Sequence, residues 1–329
     1  AGGATGDLDN DGKLDIVVSS WGLNSRYQPS LAAPIWIHYG DFAGAGATDI
    51  IESYINPATG QEVPRRGLRA VLAALPFVQE KVDTLEAYGN ATLQSLYGDK
   101  LTMGGKVEAT TLASMVFLNR GDHLEARPLP SEAQWAPAFA VCIADFDGDG
   151  AQDVFLGQNF FAVNPDEWRQ DAGRGLLLRG DGQGGFIPVP GQESGIEVYG
   201  EQRGAAFCDY DADGRLDLAV SQNANATKLF RNVTGRPGLR VRCVGPPGNP
   251  RGIGAAVGLM FGARAGPVEE VQLGSGYWSN NSAVLVLATP EPPTEIVVRW
   301  PGNRTVRSAL PSGAQEVSVN VAGHVEAIR

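Results

Sequence analysis

The stretch Asp145-Phe-Asp-Gly-Asp-Gly-Ala-Gln-Asp153 decides the fold of this chain. Its four carboxylates occupy positions 1, 3, 5 and 9 of a nine-residue loop, Gly150 occupies position 6, and an apolar run follows at 154–156. Alternate side chains converge when a short loop curls, and this many hard oxygen ligands suit Ca²⁺ better than Mg²⁺ or zinc. Glycine at position 6 permits the positive φ that closing the loop requires. The stretch therefore predicts a calcium-binding turn.

The same pattern occurs twice more with identical spacing, at residues 7–15 and 209–217. Three copies with one spacing constitute a repeat. The expected ligands are the aspartate side chains and the backbone carbonyl at position 7. They are Asp7, Asp9, Asp11, Lys13 and Asp15 in the first loop, Asp145, Asp147, Asp149, Ala151 and Asp153 in the second, and Asp209, Asp211, Asp213, Arg215 and Asp217 in the third.

A fourth copy of the pattern, at residues 41–49, is eroded. It keeps the first and last carboxylates, Asp41 and Asp49, but has Ala43 and Ala45 where the middle ones should be. We expect this loop to keep the turn and to bind no metal. The chain is thus expected to hold about three Ca²⁺ ions.

An EF-hand is the competing interpretation of these loops. It requires a bidentate Glu at position 12 and a helix on each side of the loop. Position 12 is apolar in all three copies, where it is Val18, Leu156 or Val220. These residues belong to β-branched or alternating runs, so we expect each loop to join two strands. An acidic turn without an ion is the remaining alternative.

Composition restricts the class of protein. The 329 residues include 43 glycines and 21 prolines, and only 19% of residues are charged, which favours many short strands joined by turns. The net charge of −11 argues against a nucleic-acid partner. The aspartate loops account for most of this acidity. No run of 18 apolar residues exists, so no transmembrane segment is predicted.

The three cysteines form no metal-binding or haem-binding motif. Cys142 and Cys208 lie just upstream of two calcium loops, and Cys243 lies near the C-terminal strands. We expect Cys142 and Cys208 to be small buried apolar side chains. A disulfide between these two residues is the alternative.

The sequence starts unusually close to its first calcium loop. Residues 1–6 contain no signal peptide and enter a calcium loop almost at once, whereas the other loops follow a full strand. We therefore expect the sequence to be a mature or partial chain that lacks upstream repeats. Calcium affinity in the millimolar range is useful mainly outside the cytosol, so the expected location is secreted, periplasmic or on the outer cell surface.

A second pattern of a strand and a turn follows each calcium hairpin, as in 117–121 and 229–232. A metal-bearing hairpin and a partner hairpin make about four strands per repeat, which a propeller blade requires. The predicted fold class is therefore all-β, with a partial β-propeller at residues 1–235. The tail, 236–329, contains six strand-like runs and two proline-rich breaks, and it predicts a separate all-β domain.

The long gap between the copies at 41 and 145 predicts an insertion at residues 57–112. From about 64 to 101, apolar residues recur at intervals of three and four, and Pro76 and Gly89 interrupt the pattern. Two or three short helices are expected there. They could form an amphipathic flap packed on the propeller, a lid over a binding site, or a docking surface for a partner.

The residues carry two resemblances to known families. The DxDxDGxxD hairpins resemble the FG-GAP/VCBS repeats of secreted calcium-binding β-propellers, and the segments 248–255, 274–279 and 296–302 resemble the ASPIC/UnbV domain. These resemblances imply a seven-bladed propeller with calcium in its hairpins, an extracellular or cell-envelope location, and a role in adhesion or assembly without an assigned reaction. The chain departs from the pattern because only about four repeat units are visible.

Catalytic motifs are not found in the sequence. Its three histidines are accompanied by no GxSxG motif, and no phosphate-binding loop is present, so we expect no enzyme. The expected function is a calcium-stabilised binding or structural module that associates with protein or glycan at the cell exterior. The alternatives are a calcium-dependent propeller enzyme, such as a polysaccharide lyase or hydrolase, and an accessory subunit of a larger envelope complex.

Overall fold

The computed structural model describes residues 2–163 and 167–329 and divides the chain into two compact units. The larger unit comprises Ala1–Asn24 and Ala113–Arg329, and the smaller unit comprises Ser25–Leu112. Both contain antiparallel sheets of short strands, and the chain is mostly β, as predicted. No described helix is long and apolar enough to cross a lipid bilayer.

The elements follow one another closely along the chain. The first strands are β1 (Gly3–Gly6), β2 (Asp15–Val18), β3 (Ile35–Gly40), β4 (Asp49–Ile55), β5 (Glu62–Pro64), β6 (Gly105–Ala109), β7 (Met115–Asn119) and β8 (Leu124–Pro128). The next are β9 (Ala138–Ala144), β10 (Asp153–Gln158), β11 (Leu176–Gly180), β12 (Phe186–Val189), β13 (Glu201–Cys208), β14 (Asp217–Asn223) and β15 (Asn225–Phe230). The last are β16 (Leu239–Val244), β17 (Ala256–Phe261), β18 (Arg264–Glu270), β19 (Val284–Leu287), β20 (Glu295–Trp300), β21 (Arg304–Ala309), β22 (Glu316–Asn320) and β23 (Val325–Ala327). The helices are α1 (Leu68–Ala74), α2 (Leu85–Gly89), α3 (Leu93–Tyr97) and α4 (Gly191–Ser194), with 3₁₀ turns at Pro76–Glu80, Gly98–Met103 and Ser131–Gln134.

Three antiparallel sheets of the larger unit each carry one aspartate loop as a hairpin turn. The sheets have the orders β1-β2-β7-β8, β12-β11-β10-β9 and β13-β14-β15. The loop at 7–15 joins β1 to β2, the loop at 145–153 joins β9 to β10, and the loop at 209–217 joins β13 to β14. The flanking elements are therefore strands, as the sequence predicts, and the EF-hand alternative is wrong.

Apolar side chains pack between neighbouring sheets. Val17 of the first sheet and Val154 of the second belong to one buried cluster, while Phe155 of the second sheet and Val220 of the third belong to another. Strand β9 lies against both β1 and β13, so the first strands of the three sheets are neighbours. Three such sheets are fewer than the four that the smallest propellers contain, and the described residues show no closed propeller.

The cysteines of the larger unit are all free thiols. Cys142 and Cys243 are buried, and Cys208 is partly exposed. The disulfide between Cys142 and Cys208 that the sequence left open is therefore not formed.

The C-terminal part of the larger unit is a separate pair of sheets. One has the order β19-β16-β22-β23, in which β16 and β22 run parallel, and the other has the order β18-β17-β20-β21. Val241 and Val317 of the first sheet share one buried core with Val257 and Val298 of the second, so the two sheets pack face to face. Two of these strands, β21 and β23, have no counterpart among the six runs that the sequence predicts.

The smaller unit combines a sheet of order β5-β4-β3-β6 with α1, α2 and α3. Three α-helices and two 3₁₀ turns lie between Leu68 and Met103, where two or three helices are expected over 64–101. Their apolar faces share a core with Phe42 and Ile51 of the β3–β4 hairpin. Because β3 pairs with β6 and β4 pairs with β5, this unit starts at Ser25 and is longer than the predicted insertion at 57–112.

Candidate metal centres

The position-1 aspartate forms the turn in every loop. In the Asp145 loop, Asp145 Oδ1 accepts hydrogen bonds from the backbone N–H groups of Gly148 (2.7 Å) and Asp149 (3.2 Å), and its Oδ2 accepts one from Gly150 (2.7 Å). Asp7 and Asp209 accept bonds from the N–H groups at positions 5 and 6 of their own loops at 2.8–3.1 Å. One carboxylate thus closes each turn.

The position-9 aspartate connects the turn to the sheet. Its Oδ2 accepts a bond from the position-2 N–H, as in the 2.9 Å bond from Phe146 to Asp153. Its Oδ1 accepts a bond from the N–H of a residue at the end of the third strand or just beyond it. These bonds are Asn119 to Asp15 (2.7 Å), Gly180 to Asp153 (2.9 Å) and Asn232 to Asp217 (2.8 Å). The second strand-and-turn pattern of each repeat is therefore tied to the aspartate loop.

Two positions of each loop have a left-handed backbone. Position 6 is glycine throughout, with φ of 84° at Gly12, 96° at Gly150 and 85° at Gly214, as the sequence predicts. Position 4 is also left-handed, and the sequence analysis missed it. There φ is 59° at Asn10, 73° at Gly148 and 61° at Ala212. Asn and Gly are common in this conformation, but Ala gives no signal for it.

The carboxylates at positions 1, 3 and 9 converge in all three loops. In each loop, one oxygen from each of these side chains lies within 4.8 Å of the other two. The groups are Asp7, Asp9 and Asp15; Asp145, Asp147 and Asp153; and Asp209, Asp211 and Asp217. Three oxygens at this spacing can ligate one cation.

The position-5 aspartates lie outside these groups of three. Each instead accepts a hydrogen bond from the backbone N–H at position 7. The bonds run from Lys13 to Asp11 (2.9 Å), from Ala151 to Asp149 (2.8 Å) and from Arg215 to Asp213 (3.0 Å). Of the four carboxylates predicted as ligands in each loop, the structure therefore brings three together.

Burial makes the charges of these carboxylates costly. Loss of hydration raises the pKa of Asp7 to about 6, of Asp145 to about 7 and of Asp153 to about 8, and neighbouring loop aspartates raise these pKa values further. Backbone N–H groups oppose this effect but do not overcome it. A divalent cation would supply the missing positive charge.

The three loops differ in the basic side chains that surround them. In the Asp7 loop, Arg120 pairs with Asp9, and in the Asp209 loop, Arg231 pairs with Asp211 at 2.7 Å. Arg240 also pairs with Asp209. Within residues 2–163 and 167–329, no basic side chain forms an ion pair with the Asp145 loop. The charges of Arg179 and Arg236 act on Asp147 without forming an ion pair.

One oxygen of the Asp7 loop tests directly whether a cation fits. Asp9 Oδ1 is buried and has no hydrogen-bond partner among the described residues, although the other oxygen pairs with Arg120. A buried carboxylate oxygen without a partner is costly. It belongs to the group with Asp7 and Asp15, where a cation would satisfy it. The donor set is made only of oxygen, which suits Ca²⁺.

The eroded loop in the smaller unit has a similar turn. Asp41 accepts bonds from the N–H groups of Ala45 (2.8 Å) and Gly46 (2.9 Å), and φ is positive at positions 4 and 6. Asp49 accepts a bond from Ala43 at 2.8 Å. The turn thus forms with alanine at both middle positions.

Comparison with known proteins gives a family match for the C-terminal part of the chain. Residues 245–325 match the model of the family described as ASPIC and UnbV, which confirms the C-terminal domain expected from the sequence. No curated protein matches the chain. A crystal structure of the Vibrio cholerae biofilm matrix protein Bap1 was found at 11% identity with a TM-score of 0.16. The match covers 91% of this chain and 63% of that one, and the score is too low to carry an argument.

Proposed function

We propose that the chain is a calcium-stabilised structural and binding module whose larger unit is part of a β-propeller of FG-GAP/VCBS type. The observation that carries this proposal is the convergence of three carboxylates in each of three hairpins, with a buried oxygen of Asp9 left unpaired. Sheets that follow one another with adjacent first strands support the propeller. Calcium closes each hairpin and holds it against its sheet.

Association with protein or glycan is the proposed role of the assembled surface. In the ASPIC/UnbV domain, Trp278 is 92% exposed and lies edge-on to Tyr277, with the ring centroids 6.4 Å apart. Exposed aromatic pairs favour contacts with partners because they bury a large area at low entropic cost. The proposed location is secreted, periplasmic or at the outer cell surface, where calcium is abundant enough to fill sites of modest affinity.

Thermal unfolding with and without calcium tests the structural part of the proposal. At 100 times the Kd, one site stabilises the fold by about 2.7 kcal/mol. Three sites in one unit are therefore expected to raise the melting temperature by more than about 10 °C relative to excess chelator. An equal concentration of Mg²⁺ is the control and should give a much smaller shift. A melting curve that chelator leaves unchanged would contradict the proposal.

The proposed binding role is tested with a glycan array and by capturing proteins exposed at the cell exterior. In calcium, the wild-type protein should bind a ligand that the Trp278→Ala variant no longer binds. The two proteins should have the same melting temperature. Turnover of a polysaccharide by the purified protein would instead favour the lyase or hydrolase that the sequence left open.

A further inference from the structure

The C-terminal domain contacts the position-1 aspartate of two loops at the same oxygen. In the Asp7 loop, the backbone N–H of Val268 on β18 donates a hydrogen bond of 3.0 Å to Asp7 Oδ2. In the Asp209 loop, the guanidinium of Arg240 on β16 pairs with Asp209 Oδ2 and donates a bond of 3.3 Å to the Asp209 backbone carbonyl. Both Oδ2 atoms also accept the N–H at position 6 of their own loop. The two contacts therefore match in place but differ in charge, because the first donor is neutral and the second is a cation.

Arg240 is a buried cation between the third sheet and the C-terminal domain. Its side chain is 8% exposed, and the side chain of Asp209 is 1% exposed. The Nε of Arg240 donates a hydrogen bond of 2.9 Å to Glu316 Oε2 on β22, and the other oxygen of Glu316 pairs with Arg242, which is exposed. A buried charge pair is screened much less by water and salt than an exposed one. Arg240 therefore connects the C-terminal domain to the Asp209 loop without a metal ion.

The position-3 aspartates do not distinguish the Asp7 loop from the Asp209 loop. Arg120 pairs with Asp9 in the first, and Arg231 pairs with Asp211 at 2.7 Å in the second. Among the three loops in the described part of the chain, the Asp209 loop alone also has an arginine at position 1. Two of the three carboxylates that converge in this loop are thus already paired with arginine.

We propose that Arg240 lowers the calcium affinity of the Asp209 loop and makes it the weakest of the three sites. The inference rests on the proposed calcium binding. A cation that enters this loop meets a guanidinium already bound to Asp209, and repulsion between the two positive charges opposes its binding. The Asp7 loop has the neutral N–H of Val268 at the same oxygen, so its site lacks this penalty. As the calcium concentration rises, the Asp209 site should fill last.

Calorimetric titration of the full chain with calcium tests the order of filling. Wild-type protein should have two tighter sites and one that binds at least about tenfold more weakly, a coupling of ordinary size for linked charges. Asp211→Ala should remove the weak site. Asp9→Ala, the same substitution in the Asp7 loop, should remove a tight one. Three sites of equal affinity, or loss of a tight site in Asp211→Ala, would overturn the inference.

Arg240→Gln tests the role of the guanidinium itself, and Arg242→Gln is the matched control on the same strand. Among the described residues, Arg242 pairs with Glu316 and with no loop aspartate. Arg240→Gln should tighten the weak site at least about tenfold and leave the other two unchanged. Arg242→Gln should leave all three unchanged. A weak site that Arg240→Gln leaves unchanged or weakens further would contradict the proposal.

The melting temperature gives a second measurement that a purely structural role of Arg240 would not explain. In chelator, Arg240→Gln should melt below wild type, because Asp209 and Glu316 lose a buried partner. Calcium should then raise the melting temperature of the variant more than that of wild type, since the ion binds its folded state more tightly. Equal calcium-induced shifts in the two proteins would show that Arg240 acts in folding alone. If the variant does not fold, the wild-type titration and the two aspartate variants still decide the question.

The outcomes separate this inference from the proposed function. Wild-type protein that binds no calcium would contradict the proposed function. Three bound ions of equal affinity, with Arg240→Gln binding calcium as wild type does, would leave the proposed function in place and contradict only the role of Arg240.

Discussion

The Asp145 loop and the Asp41 loop have nearly the same turn but different side chains. In both, the position-1 carboxylate accepts the N–H groups at positions 5 and 6, and φ is positive at positions 4 and 6. The Asp41 loop does this with Ala43 and Ala45 at the middle positions. Aspartates at positions 3 and 5 are therefore not needed to form the turn, and the role that we propose for the position-3 carboxylate is cation binding.

The two loops also differ in how their last aspartate is held. Asp153 is buried and accepts a hydrogen bond from Gly180 on the third strand of its sheet. Asp49 is only partly buried and accepts a bond from Ala43 within its own loop. The Asp145 loop thus carries a buried negative charge that the Asp41 loop does not, and a cation would stabilise it more.

The largest effect is expected when the Asp145 loop is made to resemble the Asp41 loop. In calcium, Asp147→Ala should lower the free energy of unfolding by about 2.7 kcal/mol if the site is otherwise filled at 100 times its Kd. In chelator the same change should cost little, because among the described residues the Asp147 side chain accepts one backbone hydrogen bond, from the N–H of Asp149. Urea unfolding in both conditions measures the difference. Equal destabilisation with and without calcium would show that Asp147 acts in folding alone.

The buried charges of the Asp145 loop predict a dependence of stability on pH that calcium removes. The folded-state pKa values, about 7 for Asp145 and about 8 for Asp153, are raised above the ordinary value of 3.8. In chelator, the folded protein therefore holds more protons than the unfolded chain, and stability should fall as pH rises from about 4 to 8. In saturating calcium the ligands are ionised in the folded protein, as they are in the unfolded chain above about pH 5, so stability should be nearly independent of pH from about 5 to 8. Melting temperatures at several pH values check both trends, and parallel trends would contradict the account.

Restoring the missing carboxylates of the Asp41 loop should make it resemble the Asp145 loop and bind a cation. Ala43→Asp combined with Ala45→Asp places both acids on a turn that already has the required backbone. The double variant is expected to bind one more Ca²⁺ per chain than wild type, with weaker affinity because Asp41 and Asp49 are less buried than their counterparts. Equilibrium dialysis measures the added ion. Ala43→Ser with Ala45→Ser is the neutral control. If the acidic variant binds no additional Ca²⁺, the two loops differ in more than these two side chains.

The smallest effect on stability is expected from a substitution at position 4 of the Asp209 loop, where the backbone is left-handed. Ala212 has φ of 61° at position 4, where the Asp145 and Asp41 loops have glycine. A left-handed alanine costs about 1–2 kcal/mol, and the greater flexibility of unfolded glycine offsets part of the gain. Ala212→Gly should therefore stabilise the protein by about 0.5–1 kcal/mol with unchanged calcium binding. Destabilisation on denaturant unfolding would mean that the left-handed turn is not strained.

Local pattern was enough to predict the turns and their strands. Aspartates at fixed spacing, the glycine at position 6 and the β-branched runs after each loop depend only on neighbours in sequence, and the hairpins follow from them. The ASPIC/UnbV domain was recognisable from three short segments within the residues that the family model matches. The helices at 64–101 were visible from their apolar period.

Long-range contacts could not be read from the sequence. Glu269 looks like any acid on a strand, and only the fold shows that it is buried. The bond from Val268 to Asp7 joins residues 261 positions apart. Because β3 pairs with β6, the smaller unit begins at Ser25 and not at the predicted residue 57. Which strands pair depends on the whole sheet and not on the local sequence.

The number of calcium ions bound per chain tests the central claim most directly. Equilibrium dialysis of the purified protein at neutral pH, followed by elemental analysis, should give three Ca²⁺ per chain, and Asp147→Ala should give two. A wild-type value near zero at millimolar calcium would contradict the account, since the converging carboxylates would then form the turns without holding an ion.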